Sequence, residues 1–441
     1  MALFGTDGVR GVAGVDLTEQ LAHDLAVAAA HVLTDIGEFT GHRPKAIIAQ
    51  DSRESGEYLQ RAIATGLSES GVDVIEVGIL PTPAVSFLVT ELGCDLGVMI
   101  SASHNPATDN GIKFFARDGR KLADEVEAQI EIQLGKPWSP NEIKGVISND
   151  ESAKERYINY LLSTIHSDFS GLKVVVDCAN GAASYVAPEV LRRAGADVIA
   201  ISDKPNGSNI NDGCGSTHLE NLIAKVRETR ADLGIAHDGD ADRMLAIDHE
   251  GNIVDGDVIL GILAQHTELP TKKVVGTVMT NLGLIRALAK QGIGFIATPV
   301  GDRYVLEEML SGGHSLGGEQ SGHVILRKFA ITGDGILTAL HLISEVASSK
   351  RALKDLASFF SRYPQVLINV SGVDKSKLGD NENLAKRISE IEVELGDSGR
   401  LLLRASGTEP LIRVMVEADS IEKAERFASS LAALVKSELA L

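Results

Sequence analysis

Three aspartates alternate in His237-Asp238-Gly239-Asp240-Ala241-Asp242-Arg243. On an extended segment that spacing places three carboxylates on one face. Neighbouring carboxylates repel one another unless a cation sits among them, and divalent cations prefer oxygen ligands. The pattern points to a metal site with an open position for a phosphoryl oxygen, as Mg2+ sites often provide. An EF-hand does not fit, because its turn glycine position holds Arg243 and its bidentate glutamate position holds His249. A solvated acidic turn is the alternative.

A second stretch, Ser101-Ala102-Ser103-His104-Asn105-Pro106, follows the apolar run Leu96 to Ile100. Asn105-Pro106 prevents a helix from starting at once. Ser103 is therefore expected on an ordered loop at a strand end, where α/β proteins place chemistry. Lys113 follows closely and can point its ammonium at the same loop. Gly318-Glu319-Gln320-Ser321-Gly322-His323 offers acceptors and donors suited to sugar hydroxyls, Glu319 and Ser321, and a titratable imidazole, His323. Arg404-Ala405-Ser406-Gly407-Thr408-Glu409-Pro410 joins two apolar strands. Its Ser-Gly-Thr turn can present successive N–H groups and two hydroxyls to an anion, and Arg404 and Arg413 can add forked hydrogen bonds. Taken singly, each of these stretches also reads as an ordinary turn, cap or strand-edge cation. There is no P-loop and no GxSxG elbow around Ser103.

The elements that must hold these loops repeat. A lysine leads an apolar strand at Lys45, Lys173 and Lys273, followed by a polar turn, a helical segment and a second strand. A third apolar element closes each unit, and the Ser103, Asp238 and Glu319 loops follow those three elements. Strand–helix–strand order implies parallel pairing with right-handed crossovers. We expect three related α/β domains with mixed sheets around a central cleft on which the loops converge. Leu21, Leu25, Ala28 and Val32 mark one helix face, with Thr18 as N-cap and Gly37 as stop. A long helix is expected from Gly335 to Phe360, then a boundary at Ser361–Pro364. A smaller C-terminal α+β domain follows: three strands, a polar segment, and a helix capped by Ser420 with Ala424, Phe427, Leu431 and Leu434 inward.

The chain has 441 residues and a net charge of −19. Such a surface repels nucleic acid and anionic membranes. No apolar run approaches the roughly 18 residues of a membrane span. The start lacks a basic region followed by an apolar core, so a cytoplasmic protein is expected. Three separated cysteines, Cys94, Cys178 and Cys214, give neither a disulfide framework nor a zinc site.

Together these motifs resemble the α-D-phosphohexomutase superfamily over essentially the whole chain. That superfamily carries a Ser-His-Asn-Pro loop, an Asp-Gly-Asp-x-Asp-Arg metal loop, a Gly-Glu-x-Ser-Gly sugar loop and an Arg-x-Ser-Gly-Thr-Glu-Pro phosphate loop. Here they stand in order at Ser103, Asp238, Gly318 and Arg404. Phe4 to Gly11 and Gly318 to His323 resemble the branch that acts on glucosamine phosphates. Ala405 departs from the proline usual there, but removes no ligand. The resemblance implies domains at 1–150 (phosphoserine loop), 151–252 (metal loop), 253–361 (sugar loop) and 362–441 (phosphate loop). It implies a phosphoserine at Ser103, with Mg2+ held by Asp238, Asp240, Asp242 and a phosphoserine oxygen. It implies that a small-molecule sugar phosphate binds through Arg243, Glu319, Ser321, Arg404, Ser406, Gly407, Thr408 and Arg413. His104, Lys113, Arg10 and His323 are the implied catalytic groups around Ser103, with the proton carrier left open among Lys113, His323 and Arg10. Glucosamine 6-phosphate and 1-phosphate would interconvert through glucosamine 1,6-bisphosphate, on the way to UDP-N-acetylglucosamine. A homodimer is also expected. The alternatives are a phosphomannomutase/phosphoglucomutase with the same chemistry and a non-catalytic sugar-phosphate sensor.

Overall fold

The structure, a computed structural model, describes residues 3–5, 7–39, 41–406 and 410–441. It divides into two compact units, Met1–Thr277 with Thr298–Ala357, and Val278–Ala297 with Ser358–Leu441.

The larger unit repeats one arrangement three times. In the first sheet the lysine-led strand Lys45–Gln50 lies between Asp73–Ile79 and Leu96–Ile100, parallel to both. Leu96–Ile100 then pairs antiparallel with Asp109–Ala116. In the second, Lys173–Asp177 runs parallel to Asp197–Ile201 and Leu233–His237, and Leu233–His237 pairs antiparallel with Met244–Asp248. In the third, Lys273–Thr277 is parallel to Leu316–Gly318, which pairs antiparallel with Val324–Leu326. The chain thus leaves each parallel strand through a turn and comes back beside it. Those three turns carry Ser103, the aspartates and Glu319. The mixed sheets follow from the sequence: Leu96–Ile100 and Leu233–His237 are buried at every residue, as strands covered on both faces must be.

Helix Glu19–Asp35 packs on the first sheet, with Leu25, Ala29 and Val32 buried. Its N-cap is Thr18, whose hydroxyl accepts from Leu21 N at 3.2 Å. The long helix expected to reach Phe360 ends earlier. It spans Gly335–Ser349, breaks where Lys350 turns left-handed (φ 56°), and a separate short helix covers Leu353–Ala357. A left-handed residue cannot continue a right-handed helix. No helix among the described residues is long and apolar enough to cross a membrane.

The smaller unit holds an antiparallel sheet in the order Gln365–Ser371, Leu411–Ala418, Gly399–Ala405. Helix Ile421–Glu438 packs on it through Ala424, Phe427 and Leu431, and Ser420 accepts from Lys423 N at 3.3 Å. The polar segment before Gly399 contains a second helix, Glu382–Leu395, which the sequence reading missed. Its stripe Leu384, Ile388, Ile391, Leu395 is narrow and embedded in charge, yet it faces the core.

Glu417 fastens segment 278–297 into this unit. Its buried carboxylate accepts from Asn281 Nδ2 (3.0 Å), Leu282 N (3.2 Å) and Arg400 Nε (2.5 Å). Replacing Glu417 with alanine should destabilise the unit by about 2–4 kcal/mol, because buried donors lose their acceptor. Calorimetry should show a transition several degrees lower, by the usual relation between lost stability and midpoint; an unshifted scan would contradict this.

Candidate active site

The aspartates converge, but not by extended alternation. Residues 238–243 form a turn in which Ala241 N bonds to Asp238 O (3.1 Å) and Ala241 is left-handed (φ 57°). Other parts of the chain pin the turn: Ala182 N, Thr82 N and Gly335 N donate to the carbonyls of Gly239 (2.8 Å), Asp240 (2.9 Å) and Ala241 (3.0 Å). The result places one oxygen of each aspartate within 4.8 Å of the others, all three side chains buried.

Ser103 lies against this cluster. Its hydroxyl donates to Asp238 Oδ2 at 2.6 Å, and it sits 3.4 Å from His104 Nδ1. Ser101 is scaffold: its Oγ accepts from Ser103 N (2.9 Å) and donates to Asp51 (2.6 Å). Lys113 is no strand-edge cation. It is 1% exposed, and its Nζ meets Asp240 Oδ2 and Asp7 Oδ2, each at 2.8 Å. Arg10 pairs with Asp7 and reaches Asn105 Oδ1 (3.4 Å).

The third turn joins the cluster through His323, whose Nδ1 is 3.5 Å from Asp242 Oδ2. Gly333 N donates to its Nε2 (3.0 Å), which assigns the ring proton to Nδ1, facing the aspartate. Glu319 accepts from Gly301 N (2.9 Å), and Ser321 Oγ lies 3.3 Å from its other oxygen.

Sequence reasoning missed a second layer. Asp7 and Asp302 flank Lys121, whose Nζ meets Asp7 and, at 2.6 Å, Asp302 Oδ2. Asp302 also lies 3.8 Å from His323 Nε2. Thr82 Oγ1 donates to Asp240 Oδ2 at 2.5 Å. Asp7 had one visible signal, its place in the glycine-rich stretch beside Arg10. Lys121, Asp302 and Thr82 had none.

Electrostatics mark the triad as short of positive charge. Burial and the charges of Asp242 and Asp240 push Asp238 well above the carboxylate range, despite Arg243 and the Ser103 hydroxyl. Burial would also raise Asp242, but His323, Lys113 and Arg243 hold it low. Burial would lower Lys113; Asp240, Asp7 and Asp242 outweigh it and raise its pKa. For His323, Asp242 and Asp302 likewise outweigh burial and raise its pKa, although a second proton must displace the Gly333 contact. Desolvation and the guanidinium groups of Arg243 and Arg10 push His104 down to about 4, leaving it neutral at physiological pH.

The triad fits a cation. Asp240 Oδ1 and Asp242 Oδ1 are buried with no hydrogen-bond partner among the described residues. On Asp240 the opposite oxygen carries the contacts to Thr82 and Lys113, the arrangement expected of an oriented metal ligand, and Arg243 Nε lies 3.8 Å from Asp242 Oδ1.

The phosphate-loop residues belong to the smaller unit. Arg404 and Arg413 stand directly opposite each other on adjacent strands. Like charges so placed are unfavourable, and burial together with Arg413 lowers the Arg404 pKa. Arg404 Nε is buried without a hydrogen-bond partner among the described residues. An anion between the two guanidinium groups would relieve both costs. Ser406 N bonds to Leu411 O (2.9 Å), and Lys375 Nζ donates to Ser406 O (2.8 Å). Gly407 and Thr408 lie outside the described residues.

Four family profiles match the chain in order. They are phosphoglucomutase/phosphomannomutase alpha/beta/alpha domain I at residues 1–139, domain II at 155–251, domain III at 255–363, and the C-terminal domain at 367–434. Phosphoglucosamine mutase of Thermobifida fusca (strain YX) is 56% identical over 445 residues, covering 100% of this chain and 99% of that protein. Among solved structures, a phosphoglucomutase/phosphomannomutase family protein from Burkholderia thailandensis superposes with a TM-score of 0.81 at 22% identity, covering 99% of this chain and 97% of that one. Aspergillus fumigatus N-acetylphosphoglucosamine mutase, in complex with GlcNAc-6P and magnesium, gives 0.71 at 18%, covering 99% and 95%. These two structures share the fold. With all four domains matched in order and a full-length relative at that identity, the chain belongs to the phosphoglucosamine mutases of the phosphoglucomutase/phosphomannomutase family.

Proposed function

We propose that this protein interconverts glucosamine 6-phosphate and glucosamine 1-phosphate through a phosphoserine at Ser103 and a glucosamine 1,6-bisphosphate intermediate. The observation that carries it is the Ser103 hydroxyl, 2.6 Å from a buried aspartate triad short of positive charge, in a chain 56% identical to a phosphoglucosamine mutase. The four domains are assigned to 1–150, 151–252, 253–361 and 362–441. The product would serve UDP-N-acetylglucosamine synthesis in the cytoplasm, and the active form would be a homodimer.

In the first half-reaction the Ser103 Oγ–P bond breaks and a bond forms between phosphorus and sugar O1. Of Lys113, His323 and Arg10, His323 is the one that is not already a cation and takes the O1 proton, while Asp238 returns a proton to the released Ser103 Oγ; Lys113 and Arg10 stay charged. In the second, after the bisphosphate turns over, the O6–P bond breaks and Ser103 Oγ takes the 6-phosphoryl group; Asp238 accepts the Ser103 hydroxyl proton and His323 gives its extra proton to O6. His104 stays neutral beside Ser103 Oγ. Lys113 keeps Asp240 oriented, and Arg243 adds positive charge next to Asp242. Glu319 and Ser321 receive the sugar hydroxyls; Arg404, Ser406, Gly407, Thr408 and Arg413 receive the phosphate that is not reacting. Asp238, Asp240, Asp242 and a phosphoserine oxygen would hold Mg2+, which supplies charge neutralisation to the transferring phosphoryl group.

Excess chelator should lower turnover at least about a hundredfold, the size expected when several kcal/mol of charge stabilisation is lost, and added Mg2+ should restore it. Full turnover in chelator would contradict the metal assignment. Turnover of glucosamine 6-phosphate against mannose 6-phosphate tests the substrate; a large preference for mannose would overturn it.

A further inference from the structure

Arg53 follows the strand Lys45–Gln50 and is 3% exposed. Its guanidinium spends all five of its N–H donors, the full complement of that group. Nε donates to Asp51 Oδ2 (2.9 Å). Nη1 donates to the carbonyls of Pro106 and Asp109, the latter at 2.9 Å, and Nη2 to those of Ser103 (3.0 Å) and Asn105 (2.9 Å). Four carbonyls of one turn therefore converge on one cation. Asn211 reinforces two of them: its Nδ2 donates to Ser103 O (2.9 Å) and Asn105 O (3.0 Å).

This clamp surrounds an unfavourable backbone. Ser103 has φ 51°, a left-handed conformation that side-chain-bearing residues adopt only where their surroundings impose it. That conformation accompanies the hydrogen bond from Oγ to Asp238. The metal turn closes the other side: a Cβ added at Gly239 would lie 2.5 Å from Ser103 O and 2.9 Å from Asn211 Nδ2.

We propose that Arg53 is a positioning residue for phosphoryl transfer, holding the Ser103 turn in its left-handed conformation through those four carbonyls, with Asn211 as second clamp. This rests on the mutase reading above. Lysine cannot substitute, since it has three donors on one nitrogen and no planar fork.

Arg53→Lys and Arg53→Ala in the full-length protein test this, with Asn211→Gly, which suits the left-handed backbone of Asn211 (φ 59°) and removes the amide. Turnover is counted per phosphorylatable site, by label from glucosamine 1,6-bisphosphate. For both Arg53 variants kcat should fall about a hundredfold, the effect of misplacing a reacting group by roughly 1 Å, while KM for glucosamine 6-phosphate stays within about threefold, as for an interaction that acts on the chemical step. Asn211→Gly should show the same split in smaller degree. Guanidinium ion should recover part of the Arg53→Ala rate. Hydrogen exchange should quicken at residues 101–110, with the remaining protection unchanged. If Arg53→Ala does not fold, Arg53→Lys and Asn211→Gly decide the matter. A kcat per site within threefold of wild type in the folded variants, or loss spread evenly over the whole protection map, overturns the proposal. An inactive wild type overturns the mutase reading and this inference together; an active wild type with unaffected Arg53 variants overturns this inference alone.

Discussion

Ser103→Ala is expected to abolish turnover of glucosamine 6-phosphate, with a loss of roughly 10^4-fold or more, as removal of a covalent nucleophile produces. The neighbouring Ser101 hydroxyl cannot stand in its place, because Ser101 Oγ is committed to Ser103 N and Asp51. The substitution removes one oxygen and one hydrogen bond at a buried site, so the stability change should stay near 1 kcal/mol. Binding of the sugar phosphate should survive, because none of the proposed sugar or phosphate contacts involves Ser103. That combination separates a mutase from a sensor, whose function would not need the hydroxyl. Retained turnover in the folded variant would remove Ser103 from the mechanism.

Lys113→Met should be nearly as severe, and on two axes. Nζ neutralises Asp240 and Asp7 at 2.8 Å from each. Methionine fills similar space but leaves both carboxylates with one cation fewer. Breaking a buried ion pair from one side costs about 3–5 kcal/mol, visible as a lowered denaturation midpoint. Turnover should also fall by about 10^2–10^3-fold, the usual cost of removing one preorganised positive group from the transition state, with reorientation of Asp240 added. Part of the stability should return when Mg2+ is added, because a cation bound to the native triad stabilises it by mass action. A variant within about 1 kcal/mol of wild type would show that Asp7 and Asp240 manage without the ammonium, since a surface pair is worth no more than that.

Much of this was legible in the chain because it is written locally. The lysine-led strands and the turns after Leu96–Ile100, Leu233–His237 and Leu316–Gly318 each occupy a few consecutive residues. Their order alone places Ser103, Asp238 and Glu319 at equivalent positions. Local spacing was also the limit. Alternating aspartates suggested an extended segment, whereas a left-handed Ala241 curls the turn so that the carboxylates meet. The end of the long helix was misplaced because Lys350 carries no composition signal for a left-handed cap. Helix Glu382–Leu395 was missed because its apolar stripe is thin among charged residues. The ionic layer of Asp7, Lys121 and Asp302, and the Arg53 clamp, join residues tens to hundreds of positions apart. Only the tertiary fold brings these groups together, and each one alone resembles an ordinary surface charge.

The most direct test of the central claim is a label chase. Purified protein is phosphorylated with glucosamine 1,6-bisphosphate carrying labelled phosphoryl groups. The site is mapped by mass spectrometry, and unlabelled glucosamine 6-phosphate is then added. A phosphoserine mutase carries one label per chain on Ser103, and that label moves to the sugar at the rate of turnover. A protein that interconverts the two sugar phosphates with no label on Ser103, or with label that stays there through many turnovers, would contradict it.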